Sequence, residues 1–397
     1  MTKAAHQLRF PEFRARPPWR TSTLGEVFSR ITNGKANAED HEEGGTYPLF
    51  DRSEVVKASN QFVFDAESVI IPGEGVRFQP RYFVGRFNLH QRAYALMECS
   101  GRARFFFHQL DHLKGLLATS AVKSTVLSLR LPIIEGFPVR SPEPDEQQKI
   151  ADCLTSLDEV IASQGRKVEA LKTQKKGLMQ HLFPQKGQTL PRLRFPEFRD
   201  APEWESEPLG QLTTIVRGGS PRPIDGYITS DPDGLNWLKI GDVDKEAKYV
   251  TRTADRVRPE ALSMTRVIRP GDFILSNSMS FGRPYISQIE TCIHDGWIAV
   301  TDVPDDLDRD FLYYAISAEH SQGFFVDRAA GGGVQNLNTE IVKLLPVLRP
   351  VMAEQLRIAD CLASLDAAIA AAAGVLAALK THKAGLMQGL FPAAEPA

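Results

Sequence analysis

The chain has 397 residues, of which 42% are hydrophobic and 24% are charged. This composition is ordinary for a soluble globular protein and excludes a disordered or fibrous chain, while the length suggests two or three domains. Lys plus Arg (47) nearly balances Asp plus Glu (49), which excludes a uniformly basic nucleic-acid coat but is compatible with a local basic face.

Cysteine usage and the lack of a targeting segment favour a cytoplasmic protein. The four cysteines form no C-x-x-C pair, so neither a zinc cage nor a disulfide framework is expected. The N-terminus lacks the apolar core of a signal peptide. The longest apolar run, residues 367–379, is mostly alanine and is shorter than the roughly 20 residues of a membrane span. We expect an alanine-rich helix there, and no membrane segment.

An internal repeat organises the chain. The segment LRFPEFR occurs at residues 8–14 and again at 193–199, and each copy is followed at the same spacing by a tryptophan and a Leu-Gly pair. A longer match relates residues 146–184 to residues 354–392, with 24 identities in 39 positions. We refer to these matched segments together as the frame.

Two unrelated stretches lie between the frame segments, at about residues 26–130 and 211–338. We call them the first and second heads. A solenoid would repeat more often and vary less, so we predict two different heads on one duplicated frame. The predicted boundaries are 1–141 for the first head domain, 142–186 for the first shared helix, 187–349 for the second head domain and 350–397 for the second shared helix.

Each long repeat is predicted to be a helix with a coiled-coil seam. Seam residues recur in alternating steps of four and three, from Ile150 to Leu182 and again from Ile358 to Leu390. Prolines and acidic residues mark both starts, and a proline follows each end. The first helix would be about 55 Å long at ~1.5 Å per residue, which is long enough to act as a ruler between the heads.

The seam contains a lysine in each copy, at Lys175 and Lys383. A polar residue at a seam position specifies the pairing register at a cost in stability. We favour pairing of the two helices within one chain. The alternatives are that each helix packs on its own head, or that helices pair between two chains.

The first head contains a basic segment, Gly75–Met97, that has arginines interleaved with aromatic residues and no acidic residue. Arginine can pair bidentately with guanine or phosphate, and His and Gln offer groups to base edges. The alternative is a hairpin with core aromatics and solvated arginines. The candidate DNA-binding residues here are Arg77, Arg81, Arg86, His90, Gln91 and Arg92.

The second head carries four notable segments, RGGSPRP, NWLKIGDV, GDFILSNSMSFGRPY and CIHDGWIAV. Short hydroxyl and amide side chains with arginine suit base edges and phosphates, although a self-satisfied turn is the alternative. The candidate DNA-binding residues here are Arg217, Ser220, Arg222, Lys239, Asn277, Ser278, Ser280, Arg283 and Tyr285.

Catalytic signatures are scarce in the sequence. It contains no phosphate-binding loop, no dinucleotide fingerprint, no G-x-S-x-G and no N-P-P-[YF] tetrapeptide. One arrangement, Asp233 with Glu246 and Lys248, resembles a Mg²⁺-dependent nuclease motif, but residues 245–248 are predicted to form a turn and the motif needs a strand. We expect a non-catalytic recognition protein without a metal site, with a nuclease or a DNA-free coiled-coil scaffold as the alternatives.

The frame and both heads resemble the specificity subunit of type I restriction–modification enzymes. LRFPEFR with Trp and Leu-Gly opens each half, and GLMQ followed by LF ends each helix. The second head resembles one recurrent target-recognition domain through SPRPI, NWLKIGDV and CIHDGWIAV. The first head resembles another through YPLFDRSEVVK and VGRFNLHQRAY.

This resemblance implies an α+β fold, in which two mixed α/β target-recognition domains are joined by two long antiparallel coiled-coil helices with pseudo-two-fold symmetry. It implies that each domain reads half of a bipartite double-stranded DNA site. It also implies two modification subunits that carry S-adenosylmethionine and methylate adenine, and restriction subunits that use ATP and Mg²⁺. This chain itself would bind no cofactor.

Overall fold

A computed structural model describes residues 8–123, 126–277, 281–329 and 337–392. The chain forms two compact units, and the division between them passes through both long helices. Unit 1 comprises Met1–Arg166 with Ala373–Ala397, and unit 2 comprises Lys167–Ala372. Each unit therefore joins one head to the start of one long helix and the end of the other.

Unit 1 is built on a mixed six-stranded sheet with the order β2-β7-β5-β6-β3-β4, in which only the β3–β6 pair is parallel. Strands β1 and β8 form a separate antiparallel pair. The strands are β1 (Arg20–Thr23), β2 (Phe28–Asn33), β3 (Tyr47–Phe50), β4 (Lys57–Ser59), β5 (Phe64–Pro72), β6 (Arg81–Leu89), β7 (Ala93–Cys99) and β8 (Pro138–Ser141).

Helices of unit 1 cover one face of this sheet and lead into the frame. Phe105, Phe106 and Leu110 of the second helix are fully buried in the core with the sheet residues Val69 and Leu96. The helices are α1 (Leu24–Val27), α2 (Ala103–His112), α3 (Lys114–Ser120), α4 (Leu131–Glu135) and α5 (Pro144–Leu182), which continues into unit 2.

Unit 2 contains two five-stranded sheets, with the orders β10-β19-β16-β17-β13 and β11-β14-β12-β18-β15, and the antiparallel pair β9–β20. Its strands are β9 (Glu205–Pro208), β10 (Thr214–Arg217), β11 (Ile228–Thr229), β12 (Leu235–Leu238), β13 (Tyr249–Val250), β14 (Asp255–Val257), β15 (Arg266–Ile268), β16 (Phe273–Ser276), β17 (Pro284–Ser287), β18 (Thr291–Ile293), β19 (Trp297–Thr301) and β20 (Pro346–Arg349). Its helices are α6 (Leu209–Leu212), α7 (Arg309–Ser317), α8 (Glu319–Ala329), α9 (Thr339–Lys343) and α10 (Met352–Leu390), which continues into unit 1.

The two long helices pair with each other, antiparallel, inside each unit. In unit 1, Ile150 and Leu154 near the start of α5 share a core with Leu390 at the end of α10. In unit 2, Leu182 at the end of α5 shares a core with Ile358 near the start of α10. The predicted pairing within one chain is therefore confirmed. All predicted seam positions are buried or half-buried, and most of their helix neighbours are exposed.

The seam lysines find acidic partners on the opposite helix. Lys383 pairs with Asp158 at 2.6 Å in unit 1, and Lys175 pairs with Asp366 at 2.5 Å in unit 2. Positions 208 apart are equivalent in the long repeat, so these are the same ion pair made twice. Each pair satisfies a partly buried charge at one register only, which gives the polar seam position its specificity.

A second duplicated contact joins LRFPEFR to the start of a long helix. Arg9 forms a two-pronged pair with Glu146, with its Nε and Nη2 at 2.8 and 2.6 Å from the carboxylate oxygens, and Arg194 does the same with Glu354 at 2.8 and 2.7 Å. Both glutamates are 1% exposed. We call these contacts the frame ion pairs, and they explain why this arginine and this glutamate recur in both repeats.

The aromatic residues of the frame form the same cluster in each unit. Trp19, Phe105 and Phe391 have ring centroids 5.5–6.3 Å apart in unit 1. In unit 2 the corresponding cluster is Trp204, Phe311 and Phe183, with centroids 5.6–6.2 Å apart. The tryptophan and the phenylalanine before each terminal proline are thus repeated because they pack together.

The hairpin named as the alternative for Gly75–Met97 does not form. Strands β6 and β7, which lie in this segment, each pair with β5, which lies between them. The sequence also predicts a strand at Thr125–Leu131, but its described part forms only isolated bridges at Ser128, and helix α4 begins at Leu131 because a proline favours the first helical turn.

Helix α10 is long and apolar enough to cross a membrane, judged by length and composition alone. An 18-residue window of this helix has a mean hydropathy of 2.0, although the apolar run 367–379 by itself is shorter than a membrane span. Of that window, 11% is buried inside the protein. The helix also carries Asp366, whose carboxylate is bonded to Lys175 and to the Tyr314 hydroxyl. The absence of a membrane segment stays a prediction.

Candidate nucleic-acid interface

The aromatic residues of the basic segment in the first head belong largely to the core. Phe78 and Phe87 are almost completely buried, and Phe83 packs against the same small core as Phe50. In β6, strand alternation directs Phe83 and Phe87 towards one core and leaves Arg86, on the other side of the strand, exposed. Phe78 and Phe87 are therefore not available to stack on bases, and we expect recognition by this segment to depend mainly on its polar side chains.

The exposed arginines of this segment are paired with acids from outside it. Arg77 lies 3.0 Å from Glu54, Arg86 lies 3.0 Å from Asp65, and Arg92 lies 2.5 Å from Glu74. These arginine side chains are all more than half exposed. Exposed pairs of this kind contribute little to stability, so each arginine can exchange its carboxylate for a phosphate or base edge at little cost. This surface therefore carries exposed arginine–carboxylate pairs and is not a continuous patch of unpaired positive charge.

Arg81 differs from these arginines because it supports a loop. Its Nη2 donates to the carbonyl oxygens of Ser53 and Glu54, the latter at 2.7 Å, and its guanidinium lies 6.0 Å from the Phe50 ring centroid. Burial lowers the pKa of Arg81, against the opposing charges of Asp51 and Glu54. The structure therefore places Arg81 beneath the loop that carries Glu54.

His90 and Gln91 lie in the turn between β6 and β7. The His90 Nδ1 accepts a hydrogen bond from the Arg92 backbone at 3.1 Å, and burial lowers the pKa of His90. The Gln91 side chain is exposed and donates to Asn37 at 2.8 Å. Both residues shape the turn that presents Arg92, whereas only Gln91 faces solvent.

In the second head, two glycines bring RGGSPRP against the strand β18 and the turn that follows it. A Cβ on Gly218 would lie 2.2 Å from the His294 carbonyl oxygen, and one on Gly219 would lie 2.5 Å from that of Met264. The backbone amides of the two glycines donate to Trp297 and Ile293. Only glycine fits this approach, and it places Ser220 and Arg222 beside the β18–β19 turn.

Asp295 lies in the β18–β19 turn and accepts hydrogen bonds from four of the predicted DNA-binding residues, Arg217, Ser220, Arg222 and Asn277. Its Oδ1 accepts from the Ser220 hydroxyl at 3.0 Å, and its Oδ2 accepts from Arg222 at 3.1 Å. Its carbonyl oxygen accepts from Arg217 Nε at 3.0 Å and from the Asn277 amide at 3.3 Å. We call these residues, together with His294, the Asp295 cluster.

Members of the Asp295 cluster differ in exposure. The Arg222 side chain is 81% exposed and Arg217 is also exposed, whereas Asn277 is buried. The two arginines face solvent, while Asn277 supports the turn from below. His294 is partly exposed, and its Nε2 lies 3.1 Å from the Asp295 carboxylate.

The other described candidates of the second head, Lys239, Arg283 and Tyr285, lie apart from this cluster. Lys239 pairs with Asp255, and Arg283 lies 3.4 Å from Glu246 beside a cavity of about 440 Å³. Tyr285 was expected at the surface, but it is 1% exposed and packs edge-on against Trp297, because strand β17 turns this position into the core. Ser278 and Ser280 lie outside the described residues.

Sequence reasoning missed Asp295 and His294 as members of this site. Both stand in CIHDGWIAV, a segment that contains none of the DNA-binding residues predicted from sequence. The available signal was a polar HDG turn between two apolar strands, next to the glycine pair of RGGSPRP in the fold but more than 70 residues away in sequence.

The nuclease-like residues have other partners. Lys248 lies 2.8 Å from Asp310, and its ammonium is 4.6 and 4.9 Å from the ring centroids of Tyr314 and Tyr313. Glu246 pairs with Arg283. Among the described residues there is no group of three or more His, Cys, Asp or Glu side chains able to hold a metal ion.

Two dissimilar heads on a duplicated helical frame, each with exposed arginines on its surface, define a bipartite recognition protein. The family model of the type I restriction modification DNA specificity domain matches residues 17–173 and 203–381. The chain belongs to this family. The two matched regions correspond to the two copies of the frame with their heads.

Relatives and solved structures agree with this assignment. The chain is 23% identical over 364 residues to the type I restriction enzyme EcoDI specificity subunit of Escherichia coli, covering 85% of this chain and 79% of the relative. It is 22% identical over 394 residues to the MjaVIII specificity subunit of Methanocaldococcus jannaschii, covering 92% and 88%. The crystal structure of the S subunit from M. genitalium has the same fold, with a TM-score of 0.67, 14% identity and coverage of 98% and 100%. These matches support neither a nuclease nor a DNA-free scaffold.

Proposed function

We propose that this chain is the sequence-specific DNA-recognition subunit of a type I restriction–modification complex, with each head reading one half of a bipartite site. One observation carries the proposal: the family match falls twice on a duplicated frame, while the heads differ in topology, one with a single six-stranded sheet and the other with two five-stranded sheets. Two different readers on one frame suit two different half-sites.

Five exposed arginines among the candidate DNA-binding residues are the proposed contacts. In the first head these are Arg77, Arg86 and Arg92, and in the second they are Arg217 and Arg222. An arginine that reaches a guanine edge in the major groove specifies a base, whereas one that reaches a phosphate fixes position without reading sequence.

Catalysis is proposed to reside on other subunits. Modification subunits, two by the duplication of the frame, would bring S-adenosylmethionine and methylate adenine. Restriction subunits would bring ATP and Mg²⁺. The chain would act in the cytoplasm and would contribute recognition without turnover of its own.

Sequencing the methylated bases of a host that expresses the chain with its modification subunit tests the proposal. We expect one bipartite methylated motif. Arg222→Ala should relax discrimination in one half of that motif by about 1–3 kcal/mol at a base-contacting position, and Arg77→Ala should act only on the other half. The proposal fails if no motif is methylated, or if either variant changes both halves equally.

A further inference from the structure

We propose that Asp295 is a positioning residue that sets the specificity of the second head without itself contacting DNA. The inference rests on the proposed DNA-recognition function and names the residue that organises one of its two readers. Asp295 occupies the turn between β18 and β19, where its side chain is only 28% exposed. A carboxylate would repel DNA phosphates if it faced them, so Asp295 acts on recognition through the side chains that it holds in position.

The carboxylate is held in place on both oxygens. Ser220 donates to Oδ1 and also accepts from the Asp295 backbone amide at 3.2 Å, so the two residues are joined twice. The His294 Nδ1 accepts from the Gly296 backbone at 2.9 Å, which leaves its proton on Nε2, directed at Oδ1 3.1 Å away. The other oxygen is therefore the one that receives Arg222.

Arg222 gains a fixed direction from this contact. Its Nη2 is 3.1 Å from Oδ2 while the side chain stays four-fifths exposed, so one edge of the guanidinium is anchored and the remainder faces solvent. A free arginine must lose rotamer entropy when it binds a base, and an anchored one has lost part of it already. Preorganisation of this kind favours one geometry, which is the requirement for reading a base.

The same residue fixes a second arginine through its backbone. The Asp295 carbonyl oxygen accepts from Arg217 Nε at 3.0 Å, and the buried Asn277 amide supports that oxygen from the core side at 3.3 Å. Arg217 and Arg222, the two exposed arginines of the Asp295 cluster, are thus both bonded to this one residue. A shift of the turn would displace them together.

The carboxylate stays ionised in this environment. Burial by itself would raise the pKa of Asp295, but the hydrogen bonds from Ser220 and Arg222, together with the Arg222 charge, outweigh it and hold the pKa below its ordinary value. Asp295 therefore places a negative charge near the DNA-facing surface. Such a charge weakens sequence-independent attraction to phosphates while it orders the groups that read sequence.

These opposed effects give the inference a distinctive test. Asp295→Asn in the assembled complex with modification subunits should lower discrimination between cognate DNA and duplexes with single changes in one half-site by about tenfold or more. Its affinity for an unrelated duplex should be unchanged or higher, with a slightly steeper salt dependence. Discrimination against changes in the other half-site should stay at the wild-type level.

Two further variants separate geometry from charge. Asp295→Glu keeps the charge but displaces it by one methylene, so discrimination should fall while the affinity for unrelated DNA stays at the wild-type value. Asp306→Asn removes another carboxylate of unit 2 that is bonded to an arginine, Arg349, and it should leave half-site discrimination unchanged. Thermal unfolding of each variant shows whether the chain remains folded.

The inference is overturned if Asp295→Asn keeps full discrimination, or if it weakens binding to cognate and unrelated DNA by the same factor. It is also overturned if both half-sites lose discrimination equally. A different result, in which the wild-type complex itself does not distinguish one duplex from another, would refute the proposed function and not the role of Asp295 alone.

Discussion

At the scale of single residues, the two units place different side chains beside the same seam ion pair. In unit 1, the Nδ1 of His108 lies 3.8 Å from Asp158, and its Nε2 lies 3.2 Å from the Thr155 hydroxyl. In unit 2, the Tyr314 hydroxyl donates to Asp366, the repeat-equivalent aspartate, at 2.6 Å. The frame is therefore duplicated in its charges but not in the groups that the heads bring to it.

His108 should make the stability of unit 1 sensitive to acid. Burial, with the nearby Lys383 ammonium, lowers the pKa of His108 to about 3 from an ordinary value of 6.5. Between these values the unfolded chain binds a proton that the folded chain does not, so stability falls as the pH drops from about 6.5 towards 3, by up to ~1.4 kcal/mol per pH unit. Urea unfolding followed at several pH values measures this slope.

The matched variant is His108→Gln, which cannot titrate in this range. It should lower stability at neutral pH because it disturbs a buried position, and it should flatten the dependence between pH 6.5 and 3. An unchanged slope in this variant would assign the acid sensitivity to other groups.

Residue-level roles were the least predictable from sequence. The basic segment Gly75–Met97 contains no acid, yet its exposed arginines meet Glu54, Asp65 and Glu74, which other parts of the head supply. Tyr285 stands in a polar-looking segment, but its strand directs it inward. Both outcomes depend on which strands become neighbours, and local composition does not encode that information.

At the scale of elements, the frame was predictable because its signals are periodic and repeated. The 4-3 spacing and the flanking prolines place the helix starts within two residues of those observed, Pro144 and Met352, and the predicted seams end at the observed last helical residues, Leu182 and Leu390. The predicted segment bounds of 186 and 397 extend beyond these ends. The sequence identifies the two seam lysines, but it does not identify Asp158 and Asp366 as their partners. Those partners lie 225 and 191 positions away in sequence, and the antiparallel register selects them.

The frame ion pairs should be a main source of stability for each unit. Arg9→Ala leaves the buried Glu146 carboxylate without its cationic partner. Because that charge stays desolvated, the free energy of unfolding should fall by about 3–5 kcal/mol. Hydrogen exchange should localise the loss to unit 1. Arg194→Ala should do the same to unit 2 through Glu354.

Exchange of both partners provides the control for this prediction. Arg9→Met combined with Glu146→Gln removes the charge as well as its partner, so the double variant should be more stable than Arg9→Ala alone. A loss of protection in both units after a single substitution would contradict the assignment of one ion pair to each unit.

At the scale of the whole molecule, both long helices pass without interruption through the division between the units. Inserting seven residues after Arg166 and seven after Gly374, which are repeat-equivalent positions, preserves the 4-3 alternation. At ~1.5 Å per residue each helix grows by ~10 Å, and at ~3.4 Å per base pair the gap between half-sites should grow by about three base pairs.

Methylome sequencing of a host with this variant measures the gap directly. The half-site sequences should stay as they are in the wild type, since neither head is altered. Methylation at the original gap would show that the helices do not set the spacing, and altered half-sites would show that the heads depend on the frame.

The closure of unit 1 by a distant part of the chain has a consequence for biosynthesis. The Leu8 amide donates to the Gly389 carbonyl oxygen, and Met387 and Phe391 lie in the core of unit 1. These partners leave the ribosome after every residue of unit 2. Domains generally acquire structure in the order of their emergence, from the N-terminus onward. We therefore expect unit 1 to complete its core only after all of unit 2 has been translated, so that unit 2 can complete its own fold first.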